Sequence, residues 1–404
     1  MSWEKVKLGE ISLCIQPGPF GSQLHNSDYA DEGTPIVMPK DMVDGHIRHT
    51  GLIRVPEEHV TRLQRHQVYE GNLMVARKGD VRKCVYITQN ENGWLTGSDC
   101  LKVALNESCC FPKYIYYQLR SPYIGKWLEQ ISIGATMPSI NTGLLSSIEI
   151  YLPQLDTQRR ISDILSTYDD LIENNRKQIK LLEEAAQRLY QEWFIDLRFP
   201  GHEHTKIVDG VPEGWEIYRF SDKVDIMSGG TPKTDNPNYY NGTIPFYTPK
   251  DSDGAFFAFK TITNITEEGL NNCNSRLYPK NTVIITARGT VGKTTLLGVP
   301  MAMNQSCYAL KSDEISAPYY LFFALNKEIA SLKAMSNGGV FNTIIVKTFD
   351  SIHITIPSNN LITTFETFVT PIMEQIKVKI KENFALSEAR DRLLPKLMSG
   401  EVEE

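Results

Sequence analysis

Downstream of Pro153 the apolar residues fall on a helical seam. Ile161, Leu165, Tyr168, Ile172, Asn175, Ile179, Leu182, Ala186, Leu189 and Trp193 follow one another at alternating spacings of four and three. That alternation keeps one stripe facing a partner helix for more than four heptads, with a single strongly polar break at Asn175. Arg, Lys, Glu, Asp and Gln fill the opposite face, as a solvated flank requires. The pattern predicts one long helix that stops before Pro200-Gly201, a strong breaker. A second seam (Phe365, Val369, Ile372, Ile376, Leu386, Leu393, Leu397) is interrupted by Lys379, Asn383 and Arg390. Neither helix can bury its stripe alone, so the two are expected to pack on each other. A whole globular segment lies between them, which favours an antiparallel pair ~60 Å long with a globular domain at each end.

Outside the seams the chain is rich in Gly, Pro, Asn and aromatics, with short β-branched runs such as Thr282–Thr286 and Ser351–Ile356. Pro112–Arg120 and Pro318–Asn326 read as helices opening at proline. These features occur twice. Trp3-Glu4 recurs as Trp215-Glu216, GTPIVMPKD (33–41) as GTIPFYTPKD (242–251), and YEGNLMVARKGDVRK (69–83) as YPKNTVIITARGTVGK (278–293). Pro112 to Tyr117 matches Pro318 to Phe323; Gly134, Ser147, Ile148, Ile150 and Pro153 match Gly338, Ser351, Ile352, Ile354 and Pro357. Five matches in one order mark a tandem duplication. The expected fold class is α+β: two tandem mixed domains, 1–153 and 199–357, joined by long antiparallel coiled-coil helices, 154–198 and 358–404, with a pseudo-two-fold.

Composition narrows the function. Over 404 residues, 41% are hydrophobic and 22% charged, which excludes global disorder. Seven cysteines (14, 84, 100, 109, 110, 273, 307) contain no Cys-x-x-Cys pair, which argues against a disulfide framework or a zinc ribbon. No long apolar run and no signal-like start is seen, so a soluble cytoplasmic protein without membrane contact is expected. Lys plus Arg is 42 against 48 acidic residues, a formal net of −6, so nucleic-acid binding would need locally concentrated cations or help from partner chains.

The catalytic motifs fail on inspection. Ala287 to Thr294 approaches a phosphate-binding loop, but its first glycine is replaced by Ala287, and Gly298 and Pro300 leave no room for the following helix. Asn236-Pro237-Asn238-Tyr239 resembles a methyltransferase loop with one position wrong and reads better as a polar turn. His46 with His49, or His202 with His204, lack a third ligand group. No cofactor, metal or catalytic residue is expected.

What remains is a two-fold reader without an active site. Trp3-Glu4 and Trp215-Glu216 open the halves, and Pro153-Gln154-Leu155-Asp156-Thr157-Gln158-Arg159-Arg160-Ile161 enters the central helix. Leu181-Leu182-Glu183-Glu184 precedes Leu189-Tyr190-Gln191-Glu192-Trp193-Phe194-Ile195-Asp196-Leu197-Arg198-Phe199-Pro200-Gly201, and Leu393-Leu394-Pro395-Lys396-Leu397-Met398-Ser399-Gly400-Glu401 lies near the C-terminus. Together these strings, which span most of the chain, resemble the specificity subunit of type I restriction–modification enzymes. The resemblance implies that each globular domain is a target-recognition domain reading half of a split double-stranded DNA site. It implies that the helices are spacers docking two methyltransferase subunits, which would carry S-adenosylmethionine and methylate adenine. Two motor-nuclease subunits are a further implied partner, adding ATP-dependent translocation and cleavage. The chain itself would be non-catalytic. A protein-binding scaffold without DNA readout is the alternative. For DNA contact the repeated loops offer Lys40 with Lys250, Arg77 with Arg288, and Lys83 with Lys293, with Arg82 beside the first set.

Overall fold

A computed structural model describes residues 3–132, 138–208, 210–312, 315–335 and 343–401. Gly134 and Gly338 of the sequence repeat lie outside the described residues. The chain divides into two compact units, Met1–Glu173 with Asn383–Glu404, and Asn174–Glu382.

In the first unit, strands Ser12–Pro17, Cys100–Leu105, Leu73–Ala76 and Cys84–Tyr86 form an antiparallel sheet in that spatial order. A smaller sheet joins Ile53–Val55, Thr34–Val37 and Leu95–Thr96, the last pair parallel. Strand Glu4–Lys7 closes the domain by pairing with Glu149–Leu152. The second unit repeats the plan. Asp225–Ser228, Cys307–Lys311, Val283–Thr286 and Thr294–Leu297 take the same order, with Phe257–Ala258 added at the edge. Asn264–Ile265, Tyr240–Tyr247 and Ala302–Met303 form the smaller sheet, and Glu216–Arg219 pairs with His353–Ile356. The duplication extends to single bonds: Tyr114 donates its hydroxyl to Tyr151 O at 2.9 Å, and Tyr320 donates to Thr355 O.

Both proline-opened helices form, because proline at the first helical position gives up only a donor that has no helical partner there. The first runs Pro112–Leu119. The second runs on to Met335, well past the expected Asn326, because Ile329 and Leu332 continue its apolar contact with the core.

The central helix spans Leu155–Tyr190, passes through a wider π turn at Gln191–Ile195 and ends before Pro200. The C-terminal helix spans Asn359–Ser399. It contains Pro371 and Pro395 in its interior, against the usual preference of proline. An interior proline costs about 3 kcal/mol. Phe365, Val369, Met373 and Ile376 are fully buried, and at about 1.5–3 kcal/mol each they outweigh it. Both prolines project from the exposed face.

Within each unit the helical segments run antiparallel. In the first, Ile161 and Leu165 share a core with Leu394, Leu397 and Met398, while Asp169 meets Arg390. In the second, Asn175 meets Lys379 and Glu382, whereas Trp193 lies 5.9 Å from Phe365, ring centre to ring centre. Of the seam residues, Ile161, Leu165, Ile172, Asn175, Phe365, Val369 and Ile376 are buried; Tyr168, Ile179, Leu182 and Ile372 are half-buried.

Asn175 is held by long bonds: its amide donates to Glu382 Oε2 at 3.3 Å, and its oxygen accepts from Lys379 Nζ at 3.5 Å. Both partners reach water, so Asn175→Leu is expected to raise stability by about 1 kcal/mol. Thermal unfolding checks this, and a clear fall in Tm would show that the polar contacts outweigh the apolar gain.

Glu366 anchors the start of the Pro318 helix by accepting the Tyr320 N–H at 2.8 Å. Burial pushes its carboxyl up to about 7, against the opposing pull of the Tyr320 and Tyr319 amides. The folded chain therefore binds this proton more tightly than the unfolded chain does. The resulting stabilisation is complete below the unfolded value of 4.5 and fades as pH rises through about 7. Glu366→Gln keeps an acceptor for the amides and removes the charge. It is expected to raise Tm at pH 8, with the advantage shrinking toward pH 5. An advantage independent of pH would contradict this.

Candidate nucleic-acid interface

In the first domain, Pro39–Asp41 forms a tight turn because the buried Asp41 carboxylate accepts the Met38 N–H at 3.0 Å. This leaves Lys40 exposed, with no ionic partner among the described residues. The hairpin loop after strand Leu73–Ala76 reaches the same turn, where Lys83 Nζ donates to Pro39 O at 2.9 Å. Lys78 pairs with Asp99 at 3.1 Å, and the Arg77 guanidinium lies 5.8 Å from the centre of the Phe20 ring. Arg82 is differently placed: it bonds Asp80 at 3.0 Å and Glu129 at 3.2 Å, so its charge is already met. Beside the loop lies an open groove of about 670 Å³ lined by Arg82, Lys83, Arg120 and Lys126, with Asp44, Asp80 and Glu129 among them.

The second domain builds the same corner. Asp251 accepts the Thr248 N–H at 2.8 Å, and Lys250 projects from the turn. Lys293 Nζ donates to Ser252 O at 3.2 Å, and Thr290 Oγ1 donates to Pro249 O at 3.3 Å. Arg288 is exposed and, like Lys250, unpaired among the described residues. The segment from Ala287 to Thr294 returns as a strand rather than opening a helix. A hairpin therefore stands where a phosphate loop would place a helix N-terminus.

One sequence pairing is corrected by backbone register. Arg77 N donates to Asp99 O at 2.7 Å and its carbonyl accepts from Ile140 at 2.9 Å; Ala287, not Arg288, makes the corresponding bonds to Ser306 and from Ile344. Arg288 thus corresponds to Lys78, and Gly79 to Gly289, both at φ 78. The recurring Ala-Arg dipeptide is offset by one position, because strand pairing fixes the loop and letter identity does not. Lys40 with Lys250 and Lys83 with Lys293 do occupy matching places.

Other candidates resolve as structure. Asn236 caps the turn Pro237–Tyr239 by accepting the Asn238 N–H at 3.1 Å. His49 bonds Glu91 at 2.6 Å, and His202 bonds Phe199 O at 2.8 Å. Among the described residues no group of three or more His, Cys, Asp or Glu side chains is arranged to hold a metal. Sequence reasoning passed over Phe20, Thr231 and Gln305, which flank the basic corners. The available signal was a glycine ending the first sheet strand in each copy, Gly18 and Gly229.

A family model described as "Type I restriction modification DNA specificity domain" matches residues 2–184 and 212–382. Relatives include the type I restriction enzyme HindI specificity subunit of Haemophilus influenzae, 23% identical with 99% of each chain covered. Another is the MjaIX specificity subunit of Methanocaldococcus jannaschii, 25% identical over 99% of this chain and 93% of that one. The solved type I restriction–modification S subunit from M. genitalium superposes with a TM-score of 0.55 at 18% identity, over 98% of this chain and 96% of that one. It shares the fold.

Proposed function

The chain belongs to the type I restriction–modification DNA specificity family, and from that premise we propose that it reads a bipartite double-stranded DNA site, half with each repeated domain. The supporting observation is the basic corner built twice, from Lys40 and Lys83 and again from Lys250, Arg288 and Lys293, on matching turns and hairpins. Cations fixed on a rigid frame suit phosphate contacts, which set the register for base reading. Residues 1–153 and 199–357 are the recognition domains; 154–198 and 358–404 are the spacers. The spacers dock two methyltransferase subunits that supply S-adenosylmethionine and adenine methylation, joined in a restricting complex by two motor-nuclease subunits. The chain contributes specificity rather than catalysis, and partner chains offset its net charge of −6 over DNA. The setting is cytoplasmic; no described helix is long and apolar enough to cross a membrane.

Purification of the tagged chain from its host tests this reading. Stoichiometric methyltransferase is expected, and the complex should enrich two short sequence blocks at a fixed gap from a randomised duplex library. Recovery of other proteins with no sequence enrichment would favour a scaffold instead.

A further inference from the structure

The two domains carry different chemistry at one equivalent place. A Cβ on Gly18 would approach Gly97 O to 2.0 Å, and one on Gly229 would approach Asn304 O to 2.3 Å, so only glycine fits at either strand end. Those contacts put the loops in register, so Phe20 and Thr231 occupy the same position, two residues on. Both are exposed. Phe20 carries the Arg77 guanidinium 5.8 Å from its ring centre, a cation–π contact that draws the side chain toward the ring. Thr231 instead donates its hydroxyl to Gln305 Oε1. The exchange is reciprocal: Arg77 corresponds to the buried Ala287, and Gln305, two residues before Cys307, corresponds to Ser98, two before Cys100. Each domain thus presents one braced, planar hydrogen-bonding group beside its basic corner. Neither the Arg77 guanidinium nor the Gln305 amide nitrogen has an acceptor among the described residues.

We infer that Arg77 reads a guanine in the half-site of the first domain and Gln305 an adenine in the half-site of the second. This assignment rests on the proposal that the domains read DNA. Two guanidinium N–H groups match guanine O6 and N7 in the major groove. The Gln305 amide donates to adenine N7, and its oxygen, which keeps one lone pair after accepting from Thr231, accepts from N6. Thr231 is a positioning residue: its hydroxyl bonds the Gln305 carboxamide and holds that side chain in place. Phe20 is the corresponding neighbour of the Arg77 guanidinium.

The full chain, purified with its methyltransferase subunits, is tested against a randomised duplex library. Arg77→Ala should relax one guanine in one block, on the order of 10- to 100-fold in preference, and leave the other block as in the wild type. Arg77→Lys, which keeps the charge without the fork, should relax the same guanine. Gln305→Ala should relax one adenine in the other block. Thr231→Val should weaken that adenine preference, and Thr231→Ser should restore it. Uniform loss of affinity with unchanged motifs would mark phosphate contacts and overturn the assignment, as would two variants that relax the same block. A wild-type complex that enriches no split sequence would remove the functional proposal as well; an unchanged motif in the variants removes only this assignment.

Discussion

Arg390→Ala is expected to destabilise the first unit by about 3–5 kcal/mol, because it strands a buried carboxylate. Asp169 is 6% exposed and Arg390 8%, and they meet at 2.5 Å. Arg390 also bonds Asp391 at 2.8 Å, and Asp169 accepts the Tyr117 hydroxyl at 2.6 Å. Burial first, and then this carboxylate, push the Tyr117 phenol well above its ordinary range, so it stays a donor. Once Arg390 is gone, one hydroxyl remains to compensate a full charge out of water. Replacing the buried constellation should behave differently: Tyr117→Phe with Asp169→Leu and Arg390→Met removes its three buried polar side chains together, leaves Asp391 in water, and should recover most of the loss. Denaturant titration of the single and triple variants is the check. Equal loss in both would mean that side-chain shape, not stranded charge, dominates.

Replacing Lys250, Arg288 and Lys293 together with alanine is expected to lower DNA affinity about 100-fold near physiological salt. Each phosphate contact contributes about 0.9 to the slope of log affinity against log salt, so three losses should flatten that slope by about three. The weakening should be uniform across sequences, since phosphates carry no base information. Arg82→Ala is the contrast. Its guanidinium already faces Asp80 and Glu129, so little change is expected. Filter binding of the complex across a salt series measures both, and an unchanged slope in the triple variant would place DNA elsewhere on the domain.

The helices were legible in sequence because a seam of fours and threes has few physical meanings. The duplication was legible because its turns need particular residues: Asp41 and Asp251 each tie back a preceding amide, so Pro-Lys-Asp recurs. Other features lack a local signature. The ion pair of Asp169 with Arg390 joins positions far apart in sequence, and on the seam Arg390 reads merely as an interruption. Pro371 argues against a continuous helix until the burial of Phe365, Val369, Met373 and Ile376 is set against it. The hairpin register turned on strand hydrogen bonds, so matching letters misaligned Arg77 with Arg288 by one residue. Phe20, Thr231 and Gln305 differ between the repeats where the frame matches, so a search for recurring residues passes over them.

The proposed function has one chain reading two separated halves of a single DNA site. The most direct measurement is a methylation map of the host genome before and after deletion of this gene, and again after its re-expression. One split adenine-methylation motif, with a fixed unspecified gap, should disappear on deletion and return on complementation. A map that loses no motif, or loses one continuous motif without a gap, would overturn the proposed two-part readout.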